Sequence, residues 1–157
     1  METIVQAKRV LEIFKEMSQI PRESGNEKGI SDYIVNFAKN LGFEVHQDEI
    51  LNVVIKKAAS PGYENRPSII LQGHIDMVCV KGHDSNHDFS KDPIANIIEG
   101  EWMHADHTTL GADNGMGAAM MLALLEDESQ QHGPMQLLFT TNEETGMDGA
   151  LPLKKVK

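Results

Sequence analysis

Apolar residues recur with a helical period in two early stretches. Val10, Leu11, Phe14 and Met17 gather on one side of a segment that predicts a helix from Val5 to Met17, with Pro21 as its stop. The stretch Pro21 to Gly29 is turn-rich. Ile30, Tyr33, Ile34, Phe37, Ala38 and Leu41 then predict a second helix from Glu27 to Leu41, and Gly42 stands where a C-terminal cap belongs. Shorter patterns follow. Glu44 to Glu49 and Asn52 to Lys56 read as short strands, and Ala58 to Arg66 as a Pro/Gly/Asn loop. Ser68 to Gln72 holds a compact Ile-Ile-Leu run of the kind found in buried parallel strands. Pro93 to Ile98 and Glu101 to His104 predict two strands joined at Glu99-Gly100. Asn114 to Leu125 is a strongly apolar helix, Gln136 to Thr141 a buried strand, and Asn142 to Gly149 a loop. Helices alternating with buried strands predict an α/β domain, with a mostly parallel central sheet and helices on both faces.

That pattern places the polar residues. His74 and Asp76 fall just past one buried strand, and Glu143 and Glu144 just past another. Asp113 falls just before a helix. In open α/β sheets, ligand sites gather outside the carboxyl ends of the strands. A parallel sheet would therefore bring all three clusters to one edge.

Composition narrows the partners. The 157 residues suffice for one domain with a hydrophobic core. The formal charge of −10 argues against nucleic acid or an anionic membrane as partner, since both favour a basic surface. No apolar run approaches the ~18 residues of a membrane helix, and the N-terminus does not read as a signal peptide. With Cys79 as its single cysteine the chain can form no internal disulfide, which suits a reducing cytoplasm. There is no internal repeat.

Each cluster has a chemical reading and a plainer one. In extended backbone, His74 and Asp76 face the same side, so the carboxylate can hold one ring nitrogen and leave the other for a metal. A locally bonded surface histidine explains the pair equally well. In Gly111-Ala112-Asp113-Asn114-Gly115-Met116-Gly117, the glycines allow backbone to approach a ligand. An acid at a helix start is also what an ordinary N-cap looks like. The Lys-Ser/Thr of a phosphate loop is missing. Glu143 and Glu144 would repel each other at a crowded strand end unless a cation or proton lay between them, though surface Glu-Glu pairs are common. A metal joins the three clusters. Histidine with carboxylates suits Zn2+, with Mn2+ or Co2+ as substitutes. In a two-metal hydrolase Asp113 can bridge, His74 and Glu144 can be terminal ligands, and Glu143 can be the base. His83 and His87 lie four apart, but the Gly, Asp, Ser and Asn around them predict a loop rather than a second metal site. His46, His104 and His132 call for no special role, and Met116, Met120 and Met121 read as core packing.

GHIDMV from Gly73, TTLGADNGMGAA from Thr108 and NEETGMDGA from Asn142 resemble, in order and spacing, the motifs of the aminoacyl-histidine dipeptidase family of zinc peptidases. Carnosinase and peptidase T are more distant members. The resemblance covers nearly the whole chain. It implies that His74 is a ligand of one zinc, that Asp76 orients His74, and that Asp113 bridges, with a cis peptide between Asp113 and Asn114. It implies that Glu143 is the general base and Glu144 a ligand of the second zinc. Two positions depart from the family pattern. His107 stands where glycine is usual, and Asn142 where aspartate is common.

The resemblance further implies a cytoplasmic enzyme that hydrolyses Xaa-His and other small dipeptides, and full-length relatives that are homodimers. Members of the family are much longer. Their second, lid or dimerisation domain and two further ligands, an aspartate and a histidine, would lie beyond Lys157. Residues 1–157 thus read as the N-terminal part of the catalytic domain. A truncated, inactive form of the family is the alternative, as is a related aminopeptidase or deacylase.

Overall fold

The computed structural model describes residues 2–153, with side chains from residue 7 onward. Helix α1 (Glu2–Ser18) is followed by α2 (Lys28–Asn40), β1 (Glu44–Gln47), β2 (Val53–Lys57) and β3 (Ile69–His74). A hairpin of β4 (Asn96–Glu99) and β5 (Trp102–Ala105) precedes α3 (Ala112–Glu126) and β6 (Met135–Thr140). The main sheet has the order β1-β2-β6-β3, and β4–β5 forms a separate two-stranded sheet.

The helix ends follow local chemistry. Gly42, at φ 82°, lets α2 close with two backbone bonds, Phe43 N–H to Ala38 O (3.0 Å) and Gly42 N–H to Lys39 O (3.0 Å). The far end of α3 is capped from the sheet. Lys57 Nζ donates to the carbonyls of Leu124 (2.8 Å), Leu125 (3.1 Å) and Asp127 (2.9 Å).

The sheet corrects the expectation of mostly parallel strands. β1 pairs with β2 and β2 with β6 antiparallel, while β3 and β6 alone run parallel. The reason is connection length. Residues 48–52 join β1 to β2, and a parallel pair needs a crossover of roughly a dozen residues or more. The segment between β3 and β6, which holds the hairpin and α3, is long enough.

Helices on both faces are not found either. Val53, Ile55, Leu137 and Phe139 share one face of the sheet and are fully buried. They join Ile13, Phe14 and Met17 of α1, Ile30 and Ile34 of α2, and Leu122 of α3 in one cluster. Among the described residues, the three helices cover this one face. β3 is an edge strand, so its Ile-Ile-Leu run is not the fully buried strand expected, and Ile70 remains 64% exposed. The inner strands are β2 and β6.

Candidate metal centre

The one parallel pair builds the site. His74, the last residue of β3, sits beside Thr140 at the end of β6. The ladder continues one step further, with the Ile75 N–H donating to Thr140 O at 2.9 Å. Ile75 is fully buried in the core, so its neighbours His74 and Asp76 turn to the other side of the strand exit. His74 Nδ1 lies 3.4 Å from Asp76 Oδ1, and His74 Nε2 lies 3.1 Å from Asp113 Oδ1 and 3.8 Å from Glu143 Oε2.

Asp113 reaches the site through an interrupted helix start. Gly111 is the N-cap of α3, at φ 71°, and Asp113 keeps extended angles (φ −88°, ψ 116°). The Asp113-Asn114 peptide is cis. Asp113 is therefore not the capping acid that its position also allowed, and its carboxylate faces His74 with 88% of the side chain exposed. The Asn114 side chain lies against Gly73 and Gly117, where a Cβ would collide with it.

Glu143 and Glu144 are held by their backbone. Glu143 N–H donates to Asp76 Oδ1 (3.1 Å), and Glu144 N–H to Asp76 Oδ2 (3.2 Å). Ser24 Oγ donates to the same Oδ2 at 2.7 Å. Asp76, with no exposed surface, thus ties the turn after β6 to the exit of β3. Burial alone would raise its pKa. The bonds from His74, Ser24 and the two amides outweigh burial and bring it down to about 2. In return, the hydrogen bond with Asp76 leads in raising His74 to about 9, against burial, with further help from Asp113 and Glu143. In the metal-free molecule the ring is charged at neutral pH.

The donor set fits a cation. A ring nitrogen of His74 and one carboxylate oxygen each of Asp113 and Glu144 lie within 4.8 Å of one another. One nitrogen and two oxygens suit Zn2+ and related divalent ions. Glu143 flanks these donors beside His74 Nε2. Among the described residues this is the one such group, and neither His83 nor His87 belongs to it. The segment holding those two histidines is a loop. A wide groove lies elsewhere, between the β3 edge and α3, and is lined by Ile70, Met120 and Leu124. None of the three donor residues lines it.

Several residues that hold the cluster escaped the sequence reading. Ser24, Arg22 and Glu27 come from the turn-rich stretch before and at the start of the second helix, and all three bond across the molecule. Glu27, 3% exposed, accepts the Asn142 N–H at 3.0 Å. Asn52 accepts the Thr141 N–H (3.1 Å) and donates to Gly149 O (2.8 Å), folding the 142–149 loop back on β6. The two departures from the family pattern both sit at positive φ, His107 at 53° and Asn142 at 51°. Glycine is at ease there, asparagine is tolerated, and histidine is less common.

Comparison with known proteins gives the family of the chain. The family model described as peptidase family M20/M25/M40 matches residues 70–156. The cytosol non-specific dipeptidase of Escherichia coli is 50% identical over 143 residues, which is 91% of this chain and 30% of that protein. The crystal structure of aminoacylhistidine dipeptidase from Vibrio alginolyticus superposes with a TM-score of 0.90 at 46% identity, over 93% of this chain and 30% of that one. A tripeptidase from Staphylococcus aureus superposes with a TM-score of 0.77 at 28% identity, over 94% of this chain and 39% of that one. The chain thus spans about 30% of the length of the first two relatives. No helix among the described residues is long and apolar enough to cross a membrane. With more than half its length matched by one family model, the chain belongs to the metallopeptidases of family M20/M25/M40.

Proposed function

We propose that this chain carries part of the active site of a metal-dependent dipeptidase that takes Xaa-His and other small dipeptides. The observation that carries the reading is the convergence of His74, Asp113 and Glu144, with Glu143 beside them. His74, Asp113 and Glu144 would hold the metal, Asp113 between two ions in a dinuclear site. Bound there, Zn2+ would supply Lewis-acid activation of a water and of the scissile carbonyl.

This chain's own residues supply the rest. His74 Nδ1 lies 3.2 Å from the backbone oxygen of Asp76 and 3.4 Å from its Oδ1, which aims Nε2 at the ligand position. Glu143 is 41% exposed and bonded through its backbone rather than its side chain. A carboxylate held in this way is free to accept the proton of the attacking water on Oε2 and to deliver it to the leaving amine. Lineage with the two dipeptidases supports the substrate class. A cytosolic setting is inferred from the printed name of one of them.

The test is uptake of Zn2+ by the chain, measured by titration calorimetry, together with hydrolysis of β-alanyl-histidine. Glu143→Gln is expected to keep metal and lose turnover. Retained turnover in that variant removes Glu143 as the base, and absence of metal uptake in the parent chain sinks the reading. The partial donor set favours one further reading, in which the chain alone binds a single cation and turns over no dipeptide. Metal uptake at one equivalent without hydrolysis would select it.

A further inference from the structure

Arg22 is the most deeply buried cation of the site region, with 2% of its surface exposed. It follows Pro21 in the loop between α1 and α2, and it spans two other loops. Its Nη1 donates to Ile75 O (3.2 Å) and Asp76 O (3.5 Å), at the exit of β3. Its Nη2 donates to Gly111 O (2.6 Å), at the entry of α3. The Arg22 carbonyl also accepts the Met77 N–H at 3.1 Å. The guanidinium therefore bridges the strand exit that carries His74 and the helix entry that carries Asp113.

Two glycines make room for it. A Cβ on Gly111 would stand 2.5 Å from Arg22 Nη2, and one on Gly115 would stand 2.6 Å away. Gly111 O also accepts the Gly115 N–H at 3.2 Å, so one carbonyl anchors both the arginine and the first turn of α3. These contacts give the glycines of the Gly111–Gly117 stretch a task beyond approach to a ligand.

The arrangement is costly. Burial pushes the arginine pKa down to about 10, which still leaves it charged at neutral pH. Its Nε has no hydrogen-bond partner. A buried charge that meets carbonyls rather than a bidentate carboxylate is an expensive way to stabilise a fold. Electrostatics alone would also make it a poor neighbour for a cation site, since like charges repel. What it supplies is geometry, because a planar fork with donors on both ends can hold two loops at a fixed separation.

The geometry points to Arg22 as a positioning residue for the ligand cluster, one that sets the distance between the His74 strand exit and the Asp113 helix entry so that the donors are gathered before a cation arrives. This rests on the metal-site reading above. The sign of its effect on metal affinity separates the two roles open to it. A positioning cation strengthens metal binding despite its charge, and a cation acting only through its field weakens it.

The experiment titrates the chain with Co2+, reading visible absorbance, in the parent and in Arg22→Met, Arg22→Lys and Lys57→Met. Both Arg22 variants are expected to lose about 10- to 100-fold in Co2+ affinity. Arg22→Lys keeps the charge but cannot span both loops, so charge alone does not rescue it. Lys57→Met, which uncaps the distant end of α3, is expected to lower the melting temperature and leave affinity within about twofold. Equal or tighter Co2+ binding in Arg22→Met or Arg22→Lys overturns the proposal. If the parent takes up no Co2+, the metal reading falls by itself. Amide exchange in the metal-free chain then decides whether Arg22 positions the loops. Exchange at Met77 and Gly115 is expected to rise at least about tenfold in the variants relative to β2 and β6, a difference of ~1.4 kcal/mol in local opening. Unchanged exchange there overturns the proposal, and Arg22→Lys carries both readouts should Arg22→Met fail to fold.

Discussion

The base of the candidate site and its rim are built on opposite terms. At the base, Asp76, Arg22 and Glu27 are 0%, 2% and 3% exposed, and each bonds to backbone from a distant part of the chain. At the rim, the Asp113 side chain is 88% exposed and that of Glu143 41% exposed. The base has its hydrogen bonds committed to the protein, while the rim leaves carboxylate oxygens open toward one imidazole nitrogen. A ligand site needs this division. Donors already committed to the fold would have to be released before binding, and open donors on a loose base would not converge.

The comparison can be broken most sharply at Asp76. Asp76→Ala leaves Ser24 Oγ and two backbone amides without their acceptor. It is expected to lower stability by about 3 kcal/mol, read from urea denaturation. A loss under ~1 kcal/mol would mean that the base is not a structural unit.

Stability against pH sharpens the same point in metal-free protein. His74 is raised from 6.5 to about 9, so its contribution is complete below pH 6.5 and lost as pH rises through 9. Asp76 is lowered from 3.8 to about 2, so its contribution is complete above pH 3.8 and lost as pH falls through 2. The pair contributes fully between those limits, from pH 3.8 to 6.5. His74→Gln is expected to remove the alkaline limb of the urea midpoint profile. A variant profile that still falls between pH 6.5 and 9 would assign that limb to another group.

Glu27→Ala comes next, with an expected loss of about 1–2 kcal/mol, since it leaves the half-buried Asn142 N–H without its acceptor. The smallest effect on stability belongs to the rim. Asp113→Ala is expected to shift the urea midpoint by no more than ~0.5 kcal/mol while abolishing Co2+ uptake. A large stability loss there would erase the division between base and rim.

Much of this was legible in the chain. The helical periods of α1 and α2, the Gly42 cap and the apolar α3 follow from local pattern, as does the placement of Asp76 and Glu143 beyond strand ends, with His74 as the last residue of its strand rather than past it. Strand direction was legible too, but only through connection length, since the five residues 48–52 compel an antiparallel pair whatever the neighbouring apolar runs suggest. The Ile-Ile-Leu run misled because an edge strand with one open face can be as apolar as a central one. Arg22, Ser24 and Glu27 were hidden for a different reason. Their partners lie 52 to 115 positions away, and a segment rich in Pro, Gly, Ser and Asn looks the same whether it is solvated or serves as the floor of a site.

The Glu27–Asn142 bond has a consequence in time. It joins residues 115 positions apart, and the Asp76–Glu143 bond joins residues 67 apart. Contacts of such separation carry their loop-closure cost before they return any stability, so they form late relative to helices such as α1 and α2. During synthesis, the floor residues leave the ribosome more than a hundred residues before Asn142, Glu143 and Glu144 arrive to be held. Until then His74 and Asp113 can present at most a two-donor site, which binds divalent ions weakly. Gathering of the proposed metal donors is therefore tied to completion of β6.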